Sequence, residues 1–180
     1  ARQSSYLAML RNKPNGKIYA YGSEAEKLCN IKNMQYMLVQ PIKGIEITNR
    51  RLAVELMKNV LSKATFDSYT SISALVAVPC AMTEKKLLEL KIVLQQAGIS
   101  KVNFVQNAVC VRAQEFNLDA SDKCLVVDMG KYIVDISVVS RYAFEYGRDY
   151  FIGGSEMDMA ISTYVADNYD VDITNEQAEA

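Results

Sequence analysis

The chain has 180 residues, half of them apolar and 23% charged, with a net charge of −1. Such a balance supplies ample material for a core and leaves no basic face for nucleic acid, so no nucleic-acid partner is expected. There is no histidine, which excludes Ser-His-Asp and Cys-His catalysis and removes the commonest zinc ligand. Chemistry then falls to carboxylates, backbone amides, Lys, Arg or a metal carried by phosphates. Cys29, Cys80, Cys110 and Cys124 stand apart without a CxxC pair and read as buried, reduced thiols of a cytosolic protein. Apolar runs reach about seven residues, far short of a membrane span, and no basic-then-apolar signal segment opens the sequence.

In chain order, Ser5–Leu10 reads as a strand. "RNKPNGK" follows, with the Asn15-Gly16 hairpin signal, and Lys17–Tyr21 returns as its partner. Ser23–Leu28 reads as a short helix capped by Ser23, with Glu26 closing a capping box. Thr48 is the expected cap of a helix over Asn49–Ser62, where Leu52, Leu56 and Val60, joined by Ala53, Met57 and Leu61, form an apolar stripe. Ser73–Val78 is continuously apolar, as a strand covered on both faces would be. Thr83 caps a helix over Glu84–Ala97, and Gly98 stands at its C′ position. A strand at Val102–Val105 and a helix at Ala108–Phe116 follow.

Lys123–Asp128, Ile133–Ser140 and Tyr142–Tyr150 then form an antiparallel meander. Ser155 caps a last full helix over Glu156–Asn168. These elements make a mixed α/β layer fold. Ala1 is not an initiator and "TNEQAEA" reads as a helix just starting, so an excised domain or incomplete chain is expected.

Four stretches carry more information: "KGIEITNRRLAVELMKNVL", "ALVAVPCAMTEKKLLELKIVLQQAGISKVNFVQNAV", "CLVVDMGKYIVDISVV" and "IGGSEMDMAISTYV". In that order and at those separations they resemble the actin-like ATPase superfamily, and most closely the bacterial rod-shape-determining MreB family. The resemblance runs from Ser5 to Glu179 and suggests a divergent paralogue or fragment. It implies an actin-like (ribonuclease H-like) mixed sheet with flanking helices, here incomplete. Such proteins hold ATP and a divalent cation, Mg2+, between two lobes, gripped by two β-hairpin phosphate loops. It also implies assembly into filaments that organise cell shape and wall synthesis at the inner membrane surface.

On that pattern residues 1–122 are the remainder of the first lobe, without its phosphate-1 hairpin. Residues 123–180 start the second lobe, and the adenosine subdomain lies beyond. Asp128–Asp135 is the phosphate-2 hairpin, and Gly153-Gly154 the turn near the nucleotide. The resemblance assigns nucleotide binding to Asp128, Gly130, Lys131, Tyr132, Gly153, Gly154 and Ser155, and water-mediated cation binding to Asp128.

The chain also departs from the pattern. The family's turn reads Asp-x-Gly-Gly-Gly-Thr-x-Glu/Asp. Asp128, Gly130 and Asp135 match it, whereas Lys131 and Tyr132 replace glycines and Ile133 replaces the threonine. Glycine lets phosphate oxygens reach backbone N–H groups with no Cβ in the way. Where the family carries Glu-Glu-Pro to position the attacking water, this chain has Gln106-Asn107-Ala108. An amide at Asn107 can orient a water but cannot act as a base. Ser155 replaces an aspartate and keeps a good capping residue.

The leading reading is an MreB-like cytoskeletal protein with degenerate nucleotide loops and weakened or lost ATP chemistry. It would be cytoplasmic or peripheral at the inner membrane, with itself, MreB-type filaments or membrane-bound shape proteins as partners. Two readings stay open beside it: a working ATPase using Lys131 as a point charge for phosphate, and an actin-fold module that grips a partner. "FDSYT" (Phe66–Thr70) has two aromatics and an acid, a poor element for membrane insertion.

Overall fold

The computed structural model describes residues 4–13, 16–32, 34–64, 71–114, 122–140 and 143–179. The expected Asn15-Gly16 turn and the Phe66–Tyr69 segment lie wholly or partly outside them. Two compact units divide the chain: Ala1–Leu75 with Thr83–Asn103, and Val76–Met82 with Phe104–Ala180. Residues 76–82 and the described residues from Phe104 onward group with the meander.

In the first unit, β1 (Leu7–Leu10) lies between β2 (Ile18–Tyr21) and β3 (Tyr36–Val39), antiparallel to both. Successive side chains of a strand point to opposite faces, and β1 uses both. Leu7 and Met9 bury against Leu52 and Leu56 of helix α2 (Arg50–Ser62), while Ala8 packs on Ala25 and Cys29 of α1 (Ser23–Ile31). Each large apolar side chain buried this way contributes about 2 kcal/mol. Ala53 and Val54 of α2 meet Val93 of α3 (Glu84–Gln96). The α2 stripe is therefore real, although Val60 at its end is 40% exposed.

Two of the expected caps move by one residue. Gly22, at φ 61°, precedes α1, and Ser23 is its first helical residue. That positive φ favours glycine. The cap of α2 is Asn49, whose side-chain oxygen accepts the Leu52 N–H at 3.1 Å. Thr48 is occupied instead, donating its hydroxyl to Gln40 O at 2.8 Å. Thr83 caps α3 as expected, accepting from Lys86 N–H. Gly98 follows that helix at φ 114°. A small hairpin, β4 (Ile42–Lys43) and β5 (Glu46–Ile47), precedes α2. Neither it nor β3 is legible in the residue pattern.

β6 (Ser73–Val78) and β7 (Lys101–Gln106) pair with each other, and each contributes residues to both units. β6 is not covered on both faces as expected: exposure alternates along it, and Leu75 is 70% exposed.

In the second unit, α4 (Asn107–Gln114) precedes the meander β8 (Cys124–Met129), β9 (Val134–Val139) and β10 (Phe144–Tyr150), ordered β10-β9-β8. One face of this sheet packs Val126 and Val139 against Ala108. Leu125, Val127 and Met129, on the opposite face of β8, are at least half exposed. α5 (Gly154–Tyr169) and α6 (Asn175–Glu179) complete the unit. No described helix is long and apolar enough to cross a membrane.

Candidate functional site

The meander register sets three carboxylates side by side. Asp128 on β8 is opposite Asp135 on β9, and Asp135 is opposite Asp149 on β10. Directly opposed residues share a face, so the row runs across the inner side of the sheet. Asp135 is 3% and Asp149 7% exposed, and Asp128 is half-buried.

Two of the three hold a turn rather than face an opening. Asp135 accepts the Cys80 N–H at 2.9 Å and the Ser137 hydroxyl. Asp149 accepts the Cys80 thiol and the Ala81 N–H, both at 3.1 Å. All four carboxylate oxygens thus have donors, the condition for leaving such groups buried. The turn after β6 is thereby clasped to β9 and β10. Burial first, and then the bond to Asp149, push the Cys80 thiol up to about 12, so it stays protonated at neutral pH. The ligand atoms of Cys80, Asp135 and Asp149 lie within 4.8 Å of one another, close enough for a metal, yet each is already spent on this clasp.

Gly147 completes it. A Cβ there would stand 2.5 Å from Ser137 Oγ and 2.9 Å from Cys80 Sγ. Cys80, Ser137, Gly147 and Asp149 escape a reading by motif. A glycine inside a strand marks a close approach and is the one signal that could have pointed here.

The expected phosphate-2 hairpin lies at the end of this row. Gly130 N–H donates to Ile133 O at 2.9 Å, closing the turn. Its outward carbonyls meet the start of α5: Gly154 N–H donates to Gly130 O at 3.1 Å and Ser155 N–H to Lys131 O at 2.8 Å. Gly153, the residue before the helix, donates its N–H to Glu156 Oε2 at 2.8 Å. Gly153 is the cap of α5, where Ser155 was expected; Ser155 is already helical and its hydroxyl donates to Glu156 Oε2 at 3.0 Å.

A helix N-terminus binds anions through open N–H groups. Here the N–H groups of Gly153, Gly154 and Ser155 are taken by the turn and by Glu156. Contact is so close that a Cβ at Gly153 would fall 2.5 Å from Gly130 O and 2.7 Å from Lys131 O.

The three bulky turn residues go three ways. Ile133 is 9% exposed and faces the core, while Tyr132 is half-buried. Lys131 is exposed, with its Nζ 3.9 Å from Glu179 Oε2, a pairing worth little in water. Asn107, the first residue of α4, donates its Nδ2 to Asp128 Oδ2 at 3.1 Å. The fold thus gathers all the expected site residues around one end of the meander. It joins Asn107 to Asp128 directly and commits the α5 amides elsewhere.

A family model described as MreB/Mbl protein matches residues 1–180. Crystal structures of MreB5 of Spiroplasma citri bound to AMPPNP and to ADP superpose at TM-score 0.85, with 22% and 23% identity over 98% of this chain. A MamK double helical filament superposes at TM-score 0.80, with 16% identity over 98% of this chain. The matches cover 53% of the MreB5 chains and 56% of the MamK chain, so the present chain spans about half the length of these relatives. Its architecture is an incomplete actin-like fold.

Proposed function

The chain belongs to the MreB/Mbl family, and from that premise we propose that it is part of a filament subunit in cell-shape control that binds ATP weakly, through an altered second phosphate loop. The observation that carries the weakening is the engagement of the α5 N-terminal amides by the carbonyls of Gly130 and Lys131. Donors already satisfied by the backbone offer an anion little, since each new bond exchanges for one lost.

What the site retains is Asp128, half-buried at a strand end, with one oxygen held by Asn107. That carboxylate fits a divalent cation held through water, and Lys131 adds an exposed positive charge for phosphate. The nucleotide-bound state of the MreB5 relatives supports a ligand of this kind. Mg2+ bound with the nucleotide supplies charge neutralisation for its phosphates. Asn107 has no carboxylate to accept a proton, and its amide already serves Asp128, so hydrolysis is slow. The subunit acts in the cytoplasm or at the inner face of the membrane, with membrane-bound shape and wall-synthesis proteins as partners.

Assembly is tested by sedimentation and negative-stain microscopy of the full-length protein with and without ATP and Mg2+. Filaments in both conditions, with small dependence on nucleotide, are expected. A protein that stays monomeric in both and does not join MreB filaments overturns the reading.

A further inference from the structure

We infer that Asn107 is a positioning residue for Asp128: it holds one carboxylate oxygen so that the other is presented to the water shell of a nucleotide-borne divalent cation. This rests on the nucleotide-binding reading above and goes beyond it by giving Asn107 a role other than orienting the attacking water.

The row of three carboxylates supplies the argument. In Asp135 and Asp149 both oxygens receive donors. Asp128 differs: its Oδ2 takes the Asn107 amide at 3.1 Å, and its Oδ1 has no hydrogen-bond partner among the described residues. It is also the least buried of the three. One open oxygen therefore stands at the end of an otherwise saturated row, beside the turn Gly130–Ile133.

The residue type at 107 suits this task. An amide donates a hydrogen bond and brings no charge. A carboxylate there would donate nothing and would set a second negative charge against Asp128. Asn107 opens α4 directly after β7, so its backbone is set by two regular elements. A short side chain from a rigid element holds its partner more tightly than a loop residue does.

The test measures binding of a non-hydrolysable ATP analogue to the full-length protein, once with Mg2+ and once with a chelator. Asn107→Ala and Asn107→Ser are compared with the natural protein. Serine keeps a residue favoured at a helix start and is too short to bridge to Asp128. Both variants should shrink the Mg2+-dependent gain in affinity about tenfold, the size of one hydrogen bond to a charged group. Affinity for the metal-free analogue should stay unchanged.

If both affinities fall together, Asn107 is merely structural and the inference is overturned. An unchanged gap in the variants overturns it as well. A natural protein that binds the analogue equally with and without Mg2+ sinks the inference while leaving nucleotide binding intact. A natural protein that binds neither form removes the nucleotide reading first, and this inference with it.

Discussion

The two three-stranded sheets described in this chain are held by different means. In β2-β1-β3 the central strand is covered on both faces by apolar side chains: Leu7 and Met9 on one side, Ala8 on the other. In β10-β9-β8 the core side carries Asp135, Ser137 and Asp149 beside the apolar Val126 and Val139, and a set of directed hydrogen bonds to Cys80 and Ala81 fixes its polar end. Apolar burial is non-directional and tolerates reshuffling of similar volumes. Buried carboxylates tolerate neither a missing donor nor a shifted one. The first sheet is therefore held by burial alone, and the second adds a fixed geometry next to the turn Gly130–Ile133.

The comparison breaks first at Asp135. Asp135→Ala leaves the Cys80 N–H and the Ser137 hydroxyl without their acceptor, and should cost about 4 kcal/mol in urea unfolding. A cost below about 1 kcal/mol would mean that the clasp is ornamental. In the apolar sheet, Leu52→Ala should cost about 3 kcal/mol, whereas Leu52→Met should cost about 1 kcal/mol because volume is kept. Equal penalties for the two would show that shape, and not burial, governs that core. Gly153→Ala should cost about 2 kcal/mol, because its Cβ meets backbone oxygens that cannot swing away. A neutral outcome would mean that the turn and α5 separate easily.

The smallest effect is a pH dependence. The Cys80 thiol is raised from 9.0 to about 12 by burial and then by its bond to Asp149. A raised folded-state value gives stability that is complete below pH 9 and is lost as pH rises toward 12, because the unfolded chain releases the proton first. Cys80→Ser should flatten that loss, as seen by comparing unfolding of the two proteins across the window. Parallel curves would place the thiol outside the clasp.

Much of the fold is legible in the residues, because helix stripes and turn punctuation are local signals. The α2 stripe, the Thr83 cap, Gly98 and the three-strand meander are all readable this way. The strands β3, β4 and β5 are not, since short segments such as Ile42–Lys43 owe their state to pairing with a neighbour. Caps shift for a similar reason: Thr48 and Asn49 are both good candidates, and the choice falls to whichever side chain Gln40 O does not engage.

At the site, the motif brings Asp128, Gly130 and Gly153 to notice, but it does not reveal that the α5 amides are already used. That fact depends on carbonyl directions in Gly130 and Lys131, which no side-chain pattern encodes. The Cys80–Asp149 contact joins residues 69 positions apart and follows from register, which becomes known only once the strands are paired.

The turn Gly130–Ile133, proposed as an altered phosphate loop, is the center of the account, and one titration addresses it directly. Lys131→Gly, Tyr132→Gly and Ile133→Thr are introduced together in the full-length protein, and the affinity for a labelled ATP analogue with Mg2+ is compared with that of the natural chain. With a glycine-rich turn free to release its Gly130 and Lys131 carbonyls from the Gly154 and Ser155 amides, the gain in donors should outweigh the lost Lys131 charge, and affinity should rise by about tenfold or more, the worth of one hydrogen bond to a charged group. An unchanged affinity, in a variant that remains folded by circular dichroism, would contradict the claim that the hold of this turn on the α5 amides weakens the site.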